Sequence, residues 1–239
     1  MLHKTMIKAE YPYTEEMAMS QVICDNYHLL LVITRFGIKL GFGERTIREV
    51  CEMNSVHTPT LLAVLNAIGA RKHIDYTAKH PLEDIDIKGL ISYLKESHHY
   101  FISYRLPLIR EHLVSTLEEG PAELAPAILQ FFDGYVKEVK NHMEYENNTV
   151  FPYVEDLIAG KKGDHAYSID VYSHQHDQIE AKISELKNIL IRYYPDGKGF
   201  SLTTILYDIF DTEEDLANHN HIEDDLFVPV IRSIEKSIK

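Results

Sequence analysis

Apolar residues recur every three or four positions over four long stretches of the chain, and this spacing predicts four helices. The stretches cover residues 82–117, 121–158, 168–193 and 202–238. The breaks between them are too short for a crossover, so neighbouring helices should be antiparallel. The pattern therefore predicts an all-α fold in which residues 82–239 form an up-down-up-down four-helix bundle.

Prolines lie well inside some of these predicted helices, at Pro107, Pro152 and Pro229. An interior proline removes one backbone hydrogen bond and crowds the preceding turn. We therefore expect a kink or an early helix end at each proline.

The N-terminal third of the chain has a different pattern. Residues 1–16 show no periodicity, 17–40 have the spacing of one buried helix, and 44–54 and 58–68 form two short helices. The periodicity stops over 69–81, which we interpret as a linker. The sequence thus predicts a small helical module at residues 1–75 in front of the bundle.

The two short helices of this module have the spacing of a helix-turn-helix. Ser55 lies in the turn, where a glycine is common, and the second helix carries Leu62 and Ala63 where a DNA reader would expose polar groups. Residues 1–75 hold as many basic as acidic side chains, so phosphate attraction should be weak. We expect no nucleic-acid partner.

Composition places the chain among globular proteins. It has 239 residues, 45% of them hydrophobic, and a formal net charge of −13. The longest apolar run, near 29–33, is far too short for a membrane helix. Two cysteines are too few for a disulfide framework, and no secretory leader is evident. We expect a cytoplasmic protein that does not enter a membrane.

Two copies of one motif suggest a metal site. His142 and Glu146 lie four residues apart, as do His219 and Glu223, and each glutamate precedes a proline by six residues. Residues at this spacing share a helix face, so each pair can point into the bundle. Imidazole and carboxylate ligands suit iron, zinc or manganese. A single pair of this kind is explained equally well by a solvated hydrogen bond, but the repetition favours a metal.

The other two bundle helices also carry histidines. The first contains His98 and His99, and the third begins near His174 and His176. Spacing alone does not decide between the members of each pair.

With these motifs the chain resembles the hemerythrin-like family, and within it the di-iron proteins that repair iron centres (the RIC family). The resemblance extends over the module and the bundle. It implies that the first helix binds through the histidine eight residues before the proline of Leu106-Pro107, which is His99. It further implies five other ligands, and these are His142, Glu146, His176, His219 and Glu223.

The resemblance also implies a cofactor and a function. Four histidines and two bridging glutamates would hold two iron ions joined by an oxo or hydroxo bridge, with positions left for a small ligand such as O2 or NO. The implied role is repair of iron-sulfur clusters damaged by nitric oxide or oxidative stress, with apo iron-sulfur proteins as partners. The sequence leaves the oligomeric state open, a dimer included.

The chain departs from the family in its N-terminal module. The family has an adjacent Cys-Cys pair there, whereas this chain has Gly41 and Phe42. The absence of the thiols leaves room for an alternative, in which a di-iron site senses O2 or NO and signals through the module. A third hypothesis, a DNA-binding regulator, is opposed by Leu62 and Ala63.

Overall fold

The computed structural model describes residues 13–69, 84–118, 120–161, 168–169, 176–195 and 200–238. No β-strand occurs in these residues. In the N-terminal part the helices are α1 (Met19–Asp25), α2 (Leu29–Arg35), α3 (Ile47–Asn54) and α4 (Thr58–Gly69). The helices that follow are α5 (Ile87–Tyr100), α6 (Leu106–Glu118), α7 (Ala125–Tyr145), α8 (Phe151–Ile158), α9 (His176–Tyr193), α10 (Ser201–Ile222) and α11 (Val228–Ile238).

Three short π-helical segments join some of these helices end to end. They are π1 (Phe101–Arg105), π2 (Glu146–Val150) and π3 (Glu223–Phe227). The four bundle helices are therefore helix A (87–118), helix B (125–158), helix C (176–193) and helix D (201–238). The ends of these helices lie within one residue of the predicted ends, whereas helices A, B and C begin four to eight residues later than predicted. The all-α bundle prediction is confirmed.

Side-chain pairs show that helices A and B are antiparallel. Lys95, early in helix A, pairs with Glu155 near the end of helix B, whereas Arg110 pairs with Asp133. The same reversed order relates the other neighbouring helices, as shown by the pairs Glu180 with Asn220, Lys187 with Glu213, Arg105 with Thr212 and His98 with His219. The bundle is thus up-down-up-down, as expected from its short connections.

The prolines do not end the helices. Of the two expectations, an early end is wrong, because each helix continues past its proline, and each π-helical segment ends two residues before one. A kink at each proline stays a prediction. A proline cannot donate a hydrogen bond, and its ring crowds the carbonyl four residues earlier. Widening the preceding turn by one residue relieves that conflict while the helix continues.

The N-terminal module contains more breaks than its periodicity suggested. We expected one helix over 17–40, but α1 ends at Asp25 and α2 begins at Leu29. The side chain of Asn26 accepts a hydrogen bond from the backbone N–H of His28 at 3.1 Å. Such local bonding competes with helical bonding, which explains the break.

Two local features define the helix pair that follows. Thr46 and Glu49 form a reciprocal capping box at the start of α3. Ser55, in the turn after α3, has a φ of 54°. The left-handed backbone that glycine usually supplies is therefore adopted by a serine here. Ala63 is fully buried and Leu62 is half-buried.

The hydrophobic core is divided into two clusters. One joins α1–α4 to the start of helix A, the end of helix B and the end of helix D. The other fills the opposite half of the bundle. The N-terminal module therefore packs directly on one end of the bundle. The predicted linker over 69–81 lies almost wholly outside the described residues. None of the described helices is long and apolar enough to cross a membrane.

Candidate metal centre

A group of buried histidines and glutamates lies between the two core clusters. His98 from helix A, Glu146 from helix B, and His219 and Glu223 from helix D each offer one ligand atom, and these atoms lie within 4.8 Å of one another. Both glutamates have an exposure of 0%, and both histidines an exposure of 1%. The group is the candidate metal centre of this chain.

The ring of His98 lies at the middle of this group. Its Nε2 is 3.2 Å from Nε2 of His219, 3.2 Å from Oε2 of Glu146 and 3.9 Å from Oε1 of Glu223. Two imidazole nitrogens at this distance hydrogen-bond only if one carries a proton and the other does not. In either tautomer, two imidazole nitrogens and two carboxylate groups face one small region, as the ligands of one cation would.

Glu146 lies between two histidines. Its Oε2 faces His98, whereas its Oε1 is 3.1 Å from Nε2 of His142. His142 lies one turn earlier on helix B and is 7% exposed. The two oxygens of this carboxylate thus point to different imidazoles.

Helix D repeats the arrangement of helix B. Oε1 of Glu223 is 3.4 Å from Nε2 of His219, which again is four residues earlier. Both glutamates are the first residues of π-helical segments. The widened turn therefore begins where each carboxylate enters the bundle, and π-helical turns are frequent at functional sites.

Neighbouring side chains fix the orientation of His98. Its Nδ1 lies 3.0 Å from Oδ1 of Asn147, and its ring stacks on Phe151 with 5.5 Å between the centroids. An amide oxygen can only accept, so Nδ1 donates to Asn147, and Nε2 is the ring nitrogen that faces the centre. The sequence analysis did not identify Asn147, which follows the motif glutamate directly.

The structure contradicts the choice of His99 on helix A. His98 lies in the centre, whereas His99 is exposed on the other side of the helix. Successive residues are about 100° apart around a helix, so only one of the two can point inward. His98 follows the buried Leu94 by four residues, while His99 follows the half-buried Lys95. A prediction that followed the buried face of the helix from Leu94 would have selected His98.

The remaining predicted ligands are placed as follows. His142, Glu146, His219 and Glu223 point to the centre from helices B and D. His176 is the first residue of helix C, but its side chain lies outside the described part of the chain. His174, the alternative that spacing alone left open, also lies outside that part.

The donors present are suited to a metal ion. Imidazole nitrogen and carboxylate oxygen are ligands for iron, manganese and zinc. Burying two carboxylates is costly unless positive charge compensates them. A divalent or trivalent cation between Glu146 and Glu223 supplies that charge, so the residues fit a bound metal.

A larger cleft lies elsewhere and is not part of this centre. It has a volume of about 350 Å³ and lies between the end of α2, the turn between α3 and α4, and the first half of helix A. Its walls include Asp86, Ser92 and Glu96 but none of the four clustered residues. The metal centre is instead enclosed by its own side chains.

The proline that follows each π-helical segment offers a test of how the glutamates are placed. With Pro229→Ala, a regular hydrogen bond can form again, and closure of π3 into α-helix would rotate Glu223 relative to the residues after it. We expect metal affinity to fall by roughly 10-fold, the effect typical of disturbing the supports of a ligand. Titration of the metal-free protein with Fe(II) measures it.

Pro126→Ala is the matched control, because Pro126 lies in the first turn of α7, where proline is tolerated. Equal affinities for the two variants would show that proline does not hold the glutamate in place.

Comparison with known proteins gives a family match. Residues 89–231 match the Hemerythrin HHE cation binding domain. The match covers more than half of the 239 residues and includes the parts of helices A, B and D that form the centre. No curated protein matches the chain. The hemerythrin-like part of the resemblance seen in the sequence is therefore confirmed.

Proposed function

Because the chain belongs to the hemerythrin HHE cation-binding family, we propose that it is a non-haem di-iron protein that takes part in the repair of iron-sulfur clusters damaged by nitric oxide or oxidative stress. The family and the buried group of histidines and glutamates support metal binding. The number of irons and the repair role are our inference.

The observation that carries a two-metal site is the position of Glu146. One oxygen faces His98 and the other faces His142. A carboxylate with one oxygen toward each of two imidazoles can bridge two cations, each bound by one of the imidazoles. A single cation bound only by the four clustered residues would leave His142 without a role.

We therefore propose six ligands: His98, His142, Glu146, His176, His219 and Glu223. This set differs from the one implied by the family resemblance only in replacing His99 by His98. When bound, the iron pair would supply redox chemistry and a site for a small ligand such as O2 or NO.

The protein's own residues would orient and shield the centre. Asn147 holds the proton on Nδ1 of His98, so Nε2 is available to bind. Phe101 contacts His219 edge to face at 5.9 Å, and Phe151 covers His98. These rings exclude water from two sides, which strengthens electrostatic interactions inside.

Iron would be the cargo in the repair reaction. The proposed ligands include no thiolate, so ferrous iron should be held less tightly than in a thiolate-rich site. Ferric iron binds carboxylate oxygen more strongly than ferrous iron does, so reduction would favour transfer of iron to an apo iron-sulfur protein. We also propose a cytoplasmic location, in agreement with the two free cysteines, Cys24 and Cys51.

A second function, sensing of O2 or NO, is favoured by one observation. Gly41 and Phe42 stand where the repair family has its cysteine pair, so the module lacks those thiols. The module nevertheless packs on the bundle through a shared core. A signal from the iron site could reach a partner through this contact.

A reactivation experiment distinguishes the two functions. The reduced and the oxidised protein, each loaded with about two irons per chain, are mixed with an apo iron-sulfur enzyme and sulfide. We expect the reduced protein to restore enzyme activity faster, and to lose iron faster to a ferrous chelator, because ferrous iron binds these ligands less strongly.

Free ferrous iron at the same concentration is the control. Equal chelation rates in the two redox states, with no reactivation beyond this control, would reject iron donation and leave sensing. A protein that retains no iron in either state would reject both functions.

A further inference from the structure

We propose that Arg35, a residue of the N-terminal module, is a positioning residue of the metal centre, so that metal occupancy and docking of the module on the bundle are thermodynamically coupled. This inference rests on the proposed function, since it concerns the same centre. It assigns to the module a role that does not depend on the cysteine pair of the repair family.

Arg35 is a buried cation at the contact between the module and the bundle. It is the last residue of α2, is 6% exposed, and forms two hydrogen bonds to Asp215 of helix D, at 2.8 and 2.6 Å. Burial acts to lower the pKa of Arg35, but the Asp215 carboxylate outweighs it, and the pKa lies above its usual value. The guanidinium is therefore permanently charged.

Asp215, the partner of Arg35, lies on the same helix as two of the proposed ligands. Asp215 lies four residues before His219, and His219 lies four residues before Glu223. These three residues follow one another on the same face of the helix. A shift or rotation of helix D at Asp215 would therefore move two of the proposed ligands.

A second connection passes through aromatic rings. The guanidinium carbon of Arg35 is 5.3 Å from the ring centroid of Phe101 and 5.2 Å from that of Tyr100. These distances are typical of cation–π contacts. Phe101 in turn touches the ring of His219. Arg35 thus reaches His219 through Asp215 and through Phe101.

Other polar contacts in the same interface are more exposed. Tyr27 donates a hydrogen bond to Asp211 at 3.3 Å, and His28 lies 3.3 Å from Glu214. Tyr27 and Glu214 are each more than half exposed. Exposed pairs contribute little, whereas loss of one partner of a buried pair leaves an uncompensated charge. Among these polar contacts, the Arg35 pair is therefore the one whose loss should weaken docking most, in addition to the apolar core that the module shares with the bundle.

Coupling follows from these contacts. A bound metal restrains His219 and Glu223, and with them the segment of helix D that carries Asp215. Asp215 would then already be in position to pair with Arg35 of the module, so metal binding should strengthen docking. Linkage requires the reverse as well, so loss of docking should weaken metal binding by the same factor.

The test uses a variant in which the buried pair is replaced rather than broken. In Arg35→Met/Asp215→Leu, both charges are removed and the volume is largely kept, a change that buried ion pairs often tolerate. Arg110→Met/Asp133→Leu is the matched control. That pair also forms two hydrogen bonds, from Nε and Nη2 at 2.7 and 3.0 Å, but it is exposed and joins helices A and B.

Each full-length protein is titrated with Co(II), whose visible absorption reports coordination geometry, and α2 is followed by hydrogen exchange with and without Co(II). In the wild type and the control we expect Co(II) to slow exchange of α2 by about 5-fold or more. In the Arg35/Asp215 variant that slowing should disappear, the Co(II) affinity should fall by a similar factor, and the Co(II) spectrum should shift.

The outcomes separate this inference from the proposed function. If the wild type binds Co(II) but α2 exchange does not respond, or responds equally in the variant, the coupling is wrong while metal binding stands. If the variant binds Co(II) with unchanged affinity and spectrum, Arg35 does not position the centre. If the wild type binds neither Co(II) nor iron, both inferences are wrong.

Discussion

His98→Ala should abolish metal binding at one of the two positions, and His99→Ala should leave both irons in place. His98 is 1% exposed and its Nε2 is within 3.9 Å of three other proposed ligand groups. Removing this imidazole deletes a proposed ligand from the middle of the cluster. His99 points outward and can contribute no ligand atom.

Iron content after anaerobic reconstitution measures this difference. We expect about two irons per chain for the wild type and for His99→Ala, and one or none for His98→Ala. The pair is well matched, because both variants delete the same side chain from adjacent positions on one helix. Loss of iron from His99→Ala, with retention by His98→Ala, would show that helix A turns its other histidine inward when metal is bound.

Asn147→Ala should weaken metal binding without abolishing it. It leaves every proposed ligand but removes the amide oxygen that holds the proton on Nδ1 of His98. Loss of such a support typically weakens metal binding by roughly 10- to 100-fold, so the iron should still bind but less tightly.

The choice between His98 and His99 shows what sequence patterns decide and what they do not. The bundle was predictable because apolar spacing persists over four long stretches. The motif pairs on helices B and D were predictable because i,i+4 spacing fixes a common face. On helix A, counting back from Pro107 gave His99, whereas the buried face running through Leu94 gives His98.

The π-helical segments make the distance from a proline a poor guide to which face of the helix a residue occupies. Each begins six residues before its proline, at Phe101, Glu146 and Glu223. On helices B and D that position is the glutamate, but on helix A it is a phenylalanine. The widened turn changes the angular relation between residues on its two sides. A regular helical period carried across such a turn assigns the wrong face.

Ion pairs between residues far apart in the chain could also not be predicted from the sequence. Arg35 and Asp215 are 180 positions apart, and neither belongs to a motif. A charged residue in a predicted helix is most often solvated. Only the packing of α2 against the bundle brings this arginine to the aspartate, and no local pattern encodes that contact.

Removal of the metal should destabilise the protein strongly, and this is the second large effect that we expect. A ligand that binds only the folded state stabilises it by about 4 kcal/mol when its free concentration is 1,000 times its Kd. For a chain of about this size, each kcal/mol changes the melting temperature by about 2–4 °C. The metal-free protein should therefore melt roughly 10 °C below the iron-loaded protein.

The physical reason lies in the two buried carboxylates. Glu146 and Glu223 have no exposed surface, and among the described residues imidazoles face their oxygens. A bound metal would compensate the charge of these carboxylates more fully than imidazoles do. Glu223→Gln should abolish most of the metal-dependent increase in melting temperature, because a carboxamide is a poor ligand.

Glu144→Gln is the control, since Glu144 is exposed and pairs only with Lys140, at 3.7 Å, among the described residues. Melting curves recorded with and without iron should thus differ for the wild type and Glu144→Gln, and nearly coincide for Glu223→Gln. An equal response of all three proteins would place the stabilising metal outside this centre.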